Sequence, residues 1–254
     1  MARITNAVDK VHHNLSRGVE WSGKNARWVV ASIVVFIILG SAFSLYGYYD
    51  QNKETKLQEG YYKTERAYSE KKRELAAKGP ATLKAADLEK NLGTLPADFE
   101  TVLSKNPSSQ AGRMAALNLV EIYSEYGMPE KALAVYDRVG KIQPNDLTQG
   151  LLIFQKANVL SNVDKCADAV KYWDDLIKAD KVAFFKREAQ LRKALCLEKT
   201  GDVANAEQIY TELAQLKRAD GKESQAGAQD LQDDSQVATE AQKYLRLLKM
   251  KKGT

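Results

Sequence analysis

Two residue types in this sequence bring chemistry beyond ordinary surface charge, and each occurs as one pair. Cys166 and Cys196 are the only cysteines, and His12 and His13 the only histidines. Adjacent histidines could begin a metal site, but such a site takes about four ligands. No cysteine or further histidine lies near them, so solvated surface residues are the expectation. Two neighbouring thiols in an oxidising compartment can join; as a disulfide they would close a loop of about 30 residues and stabilise by roughly 3 kcal/mol. The other reading is a pair of small, inert core residues. No glycine-rich phosphate loop or paired-cysteine motif is present, and the carboxylates are spread along the chain. A non-enzymatic protein is expected, with no cofactor, no metal and no small-molecule substrate. The net charge of +5 arises from 38 basic and 33 acidic residues. There is no basic block interleaved with aromatics, so no nucleic-acid partner is expected.

The elements that must position the cysteines are set by a repeated register. Ala132, Ala169 and Ala206 are 37 residues apart, as are Tyr136, Trp173 and Tyr210. The same step links Val139, Leu176 and Leu213, then Tyr123, Leu160 and Leu197, then Gly127, Asp164 and Gly201. A period of this length is the mark of stacked supersecondary units. Each unit reads as two helices. In the first, Ala116, Leu119, Val120 and Tyr123 share a helical face. Gly127 suits a C-cap and Pro129 a first helical turn. The alanine column lets two helices approach closely, and the aromatic four residues later fills the wider gap. Phe99, Val102 and Pro107 continue the register one step earlier, so the array opens on the second helix of a partial unit and runs through three full ones over 96–218. Stacked neighbours of this kind stabilise one another.

Before the array, residues 1–27 form a short basic tail. Trp28 to Tyr49 is free of charge over ~22 residues, about 33 Å as a helix, enough to span a hydrocarbon core. Trp28 at one end and Tyr46, Tyr48 and Tyr49 at the other suit the interfaces. The run is too long for a cleaved signal peptide. Gly40, Ser44 and Gly47 form a face of small residues that could admit another membrane helix. Flanking charge barely decides the orientation; a first apolar segment acting as signal-anchor predicts a cytoplasmic N-terminus. Residues 50–95 read as a polar spacer, with a helix from Asn52 to Lys78 whose thin stripe is Leu57, Tyr61, Tyr68 and Leu75. This helix is expected to serve as the displaced first helix of the partial unit, followed by a short helix from Ala81 to Asn91. After the array, 219–236 reads as a flexible loop. Val237, Ala241, Tyr244, Leu245 and Leu248 predict a capping helix over 237–254.

The pattern of small residue, turn glycine, alanine, aromatic and proline resembles the tetratricopeptide repeat. The fold expected is all-α, one N-terminal transmembrane helix followed by a tetratricopeptide-like helical-repeat solenoid. In such arrays the first helices line a concave groove. The resemblance therefore implies a protein-binding stripe of Leu117, Glu121 and Ser124, of Phe154, Asn158 and Ser161, and of Leu191, Leu195 and Glu198. Leu117, Phe154 and Leu191 would be an exposed apolar row. The register also places Cys166 at the start of one unit's second helix and Cys196 late in the next first helix, near neighbours if consecutive helices are antiparallel.

The whole layout, a short tail, one membrane helix near residue 30, a polar helix and a repeat domain, resembles the ancillary subunit of the bacterial Sec translocon. That resemblance implies an inner-membrane protein with its repeats in the periplasm. Its implied partners are translocon membrane subunits, periplasmic chaperones or translocating chains. A scaffold of another envelope complex, in cell-wall synthesis or division and without client binding, is the alternative.

Overall fold

The computed structural model describes residues 26–79, 83–216 and 228–253. Side chains at 29, 32, 33, 46, 50 and 228–234 lie outside this description. So do His12 and His13 with the rest of the tail to residue 25, Pro80 and Ala81, and positions 219–227 of the expected loop. All regular elements among the described residues are helical.

Helix α1 runs unbroken from Ala26 to Ala77. The sequence suggests two elements here, an apolar run and a polar helix. Nothing between them stops a helix: Gly47 and Gly60 are single interior glycines, which cost about 1 kcal/mol each without ending the helix. The chain turns only at Gly79, where φ is +92°. Among the described residues no helix is long and apolar enough to cross a membrane. Part of the uncharged run, including Tyr46, falls among the side chains outside the description. Contacts divide the chain into two compact units, one ending at Thr55 and the other beginning at Lys56.

Within the second unit, α1 buries the stripe that its sequence marks. Tyr61 and Tyr68 are buried, and Leu57 and Leu75 are half-buried against the same core. The Tyr68 ring meets Phe99 edge-on at 5.8 Å between centroids, and Asn118 donates to the Tyr61 hydroxyl at 3.2 Å. The next element begins later than expected: a 3-10 turn at Ala85–Asp87 leads into α2, Leu88–Leu92. Gly93, at positive φ, caps it.

Seven helices come next: α3 (Leu95–Lys105), α4 (Gln110–Glu125), α5 (Pro129–Val139), α6 (Leu147–Asn162), α7 (Cys166–Lys178), α8 (Lys186–Lys199) and α9 (Val203–Ala214). From α3 onward each packs on the next, and α4 also touches α6, and α6 touches α8. Phe99, Tyr136, Trp173 and Tyr210 form one buried column, and Ala132, Ala169 and Ala206 are wholly buried beside it. Two further columns in the same frame are buried too, Ala115, Leu152 and Ala189, and Val120, Ala157 and Ala194.

The turn column has a single backbone cause. Gly127, Asp164 and Gly201 all take positive φ, at 67°, 62° and 89°. The amide of the following residue bonds back to the carbonyl of Tyr123, Leu160 or Leu197, at 2.7, 2.9 and 2.8 Å. This is the Schellman end, in which a left-handed residue lets the chain satisfy the last carbonyls of a helix. Asp164 is the one described non-glycine residue in this conformation, and aspartate tolerates it better than most side chains. At the other ends, Ser109, Asp146 and Asp202 accept from the amides of Gly112, Gln149 and Asn205. Such caps satisfy amides that have no partner within the helix.

Helix α10, Ala228–Lys252, begins nine residues before the expected start at 237. Residues 228–236 therefore belong to a helix where the sequence suggests loop. They hold no glycine or proline, so no residue there breaks a helix. Val237, Ala241 and Leu248 are buried against α9, and the Tyr244 ring stacks on Tyr210 at 5.8 Å.

Candidate functional site

The three implied binding stripes do not form an open apolar row, because the elements packed against them cover most of it. Leu117 is buried and Leu191 is inaccessible to solvent, at 8% and 0% exposure. Each is a core residue, which corrects the expectation for both. Phe154 is half-buried, its ring edge-on to Trp173 and stacked on Phe185, both at 5.2 Å. The missed element is the 3-10 stretch Asp180–Phe185, which folds Val182 and Phe185 under α6. Gly150 makes room for it: a β-carbon there would lie 2.8 Å from the Phe185 ring.

Three polar members of the stripes, Glu121, Ser161 and Glu198, are engaged within the chain. Glu121 accepts from Lys72 of α1, which also reaches Glu125 at 3.0 Å. Burial opposes the charge on Lys72, but these two carboxylates outweigh it and hold its pKa above the ordinary lysine value. Glu198 accepts from the Tyr210 hydroxyl at 3.1 Å and from Lys251 of α10 at 2.8 Å. Ser161 donates to the Ala157 carbonyl at 2.7 Å, and its Oγ lies 3.2 Å from Cys196 Sγ. Asn158 and Leu195 are half-buried, and Ser124 is exposed. The stripes miscarry because helices α1 and α10 and the 3-10 stretch lie over them, and none of these carries the 37-residue register.

The cysteines meet. Cys166 opens α7, Cys196 lies near the end of α8, and the two are joined as a disulfide with α-carbons 5.1 Å apart. Both are buried, so the bond sits inside the contact between the helices. In the first unit of the chain, Gly40, Ser44 and Gly47 are exposed, and a β-carbon at either glycine would meet nothing within 4 Å.

One recess carries no signal in the sequence. The end of α1, Leu83 with helix α2, and the end of α4 border a recess of about 590 Å3. Its lining includes Tyr68, Leu75, Leu83, Leu92 and Tyr126, with Lys72, Lys78, Lys90 and Glu125. These residues come from three segments with no shared period. No group of three or more potential metal ligands occurs among the described residues. Comparison with family models, with curated proteins and with solved structures finds no match.

Proposed function

We propose that this chain is a non-enzymatic protein-interaction module, a tetratricopeptide-like helical-repeat solenoid held to a bacterial inner membrane by one transmembrane helix. In this reading it is an ancillary subunit of the Sec translocon, linking translocating chains or periplasmic chaperones to the membrane machinery. The observation that carries the reading is the 37-residue register, in which the same columns are buried and the same turns take positive φ from one helix pair to the next. Stacked helix pairs of this kind present long surfaces to other proteins. The uncharged run from Trp28 to Tyr49 supports the anchor. The disulfide supports an oxidising compartment for the helices that bear it.

Two experiments test this. Protease added to intact spheroplasts should digest the helical domain; survival until the membrane is broken refutes the orientation. A photo-crosslinker placed at Gly40 or Gly47, followed by mass spectrometry, should recover translocon subunits. Recovery of cell-wall or division proteins instead assigns the chain to a scaffold and overturns the translocon reading.

A further inference from the structure

The recess at the end of α1 joins two features that suit the same kind of occupant. Its floor is apolar: Leu92 is buried and Leu75 and Leu83 are half-buried, beside the rings of Tyr68 and Tyr126. Its volume, about 590 Å3, is within the range of ligand pockets, ample for one large side chain with the backbone that carries it. Its rim is basic. Lys72, Lys78 and Lys90 line it against a single acid, Glu125. Lys72 is already spent on Glu121 and Glu125. Lys78 and Lys90 are exposed and have no carboxylate within salt-bridge distance among the described residues. The nearby Glu74 is held by Lys71 at 2.8 Å. An occupant that fills the floor and leaves those two ammonium groups facing its own carboxylates is complementary in shape and in charge.

We propose that this recess receives a large apolar side chain from an acidic segment of a partner protein, with Lys78 and Lys90 pairing the carboxylates beside it. The proposal rests on the interaction-module reading and adds a place and a chemistry to it. The recess departs from the implied stripes: it lies at the start of the helical domain, and the end of α1 with helix α2 supplies most of its wall.

The test uses the full chain in detergent micelles and a displayed library of random ten-residue peptides. Panning should enrich sequences with Leu, Phe or Trp within two positions of Asp or Glu. The Lys78→Glu, Lys90→Glu double variant changes only exposed side chains and should fold as the parent does. Its panning should enrich Lys or Arg in place of the acids, and the parent's best peptide should bind it roughly tenfold more weakly or worse. A Leu83→Asp variant should lose both peptide sets, while Lys105→Glu, on another helix, should lose neither. Enrichment of no sequence, or an acidic preference unchanged by the double reversal, overturns the proposal. So does decanoate binding more tightly than any peptide, which assigns the recess to a small aliphatic acid. A double variant that binds the parent's best peptide as tightly as the parent does overturns the recess alone. A parent chain that crosslinks to nothing overturns the module reading beneath it.

Discussion

Gly112→Ala should destabilise the helical domain, although alanine is the better helix former. Gly112 lies in the first turn of α4, and its amide donates to the Ser109 hydroxyl at 2.9 Å. A β-carbon there would stand 2.2 Å from the carbonyl oxygen of Asn106, over 1 Å inside ordinary contact. That oxygen cannot swing aside like a side chain. It already accepts from the Ser109 hydroxyl at 2.8 Å and the Ser109 amide at 3.2 Å. Relief requires the first turn of α4 to move or the turn at 106–109 to open. Overpacking of this kind costs about 1–3 kcal/mol, and losing the serine cap about 1 kcal/mol. The gain in helix propensity is about 1 kcal/mol. The clash wins, and the net loss should be about 2 kcal/mol. For a domain of this size that lowers Tm by roughly 4–8 °C. Gly60→Ala is the internal control. Gly60 is also helical, but its β-carbon would meet nothing within 4 Å, so the same substitution should stabilise by about 0.5–1 kcal/mol. Urea unfolding followed by far-ultraviolet circular dichroism measures both. If Gly112→Ala matches or exceeds the parent, the close approach to Asn106 is not there.

Three further outcomes are expected. Replacing both Cys166 and Cys196 by alanine should cost about 3–4 kcal/mol, from the 30-residue separation the bond closes; two reactive thiols per chain in the denatured, unreduced protein would remove the basis for this. Phe154→Ser should cost about 2–3 kcal/mol because the ring packs against Trp173 and Phe185; a midpoint equal to the parent's would return Phe154 to an open groove. Stability should fall as pH rises above about 10. Burial and then the Glu100 carboxylate push Tyr123 up to about 12, and burial holds Tyr136 well above the ordinary phenol value. A folded pKa above the unfolded one makes the contribution complete below about pH 10 and lost as pH climbs through the folded value; a Tm that is flat from pH 9 to 11.5 would contradict the burial of these hydroxyls.

The helix pairs were legible because their packing is periodic. In the column from Phe99 through Tyr136 and Trp173 to Tyr210, the residue 37 positions on is buried each time. The turns were legible for the same reason, although Asp164 fills a glycine's place. What the sequence hid is what breaks the period. Among the described connections from α3 to α9, the one before α8 alone carries a 3-10 stretch, so nothing marked Phe154 as covered. Lys72 and Lys251 reach Glu121 and Glu198 from helices outside the register, across 49 and 53 residues of chain. The recess beside Lys78 and Lys90 is assembled from segments that no single-helix pattern connects.

The disulfide has a consequence for how the chain is made. Its two cysteines sit on consecutive helices, and the chain has no third. As the polypeptide emerges, Cys196 follows Cys166 by only a few seconds of synthesis, at ordinary rates of about 5–20 residues per second. Closing a short loop is fast compared with thiol oxidation, so the oxidant, and not the search for a partner, sets the pace. No wrong intramolecular pairing exists to be undone. Forming this bond calls for a thiol oxidant and no reshuffling, so a strain lacking disulfide isomerase should yield the domain fully bonded.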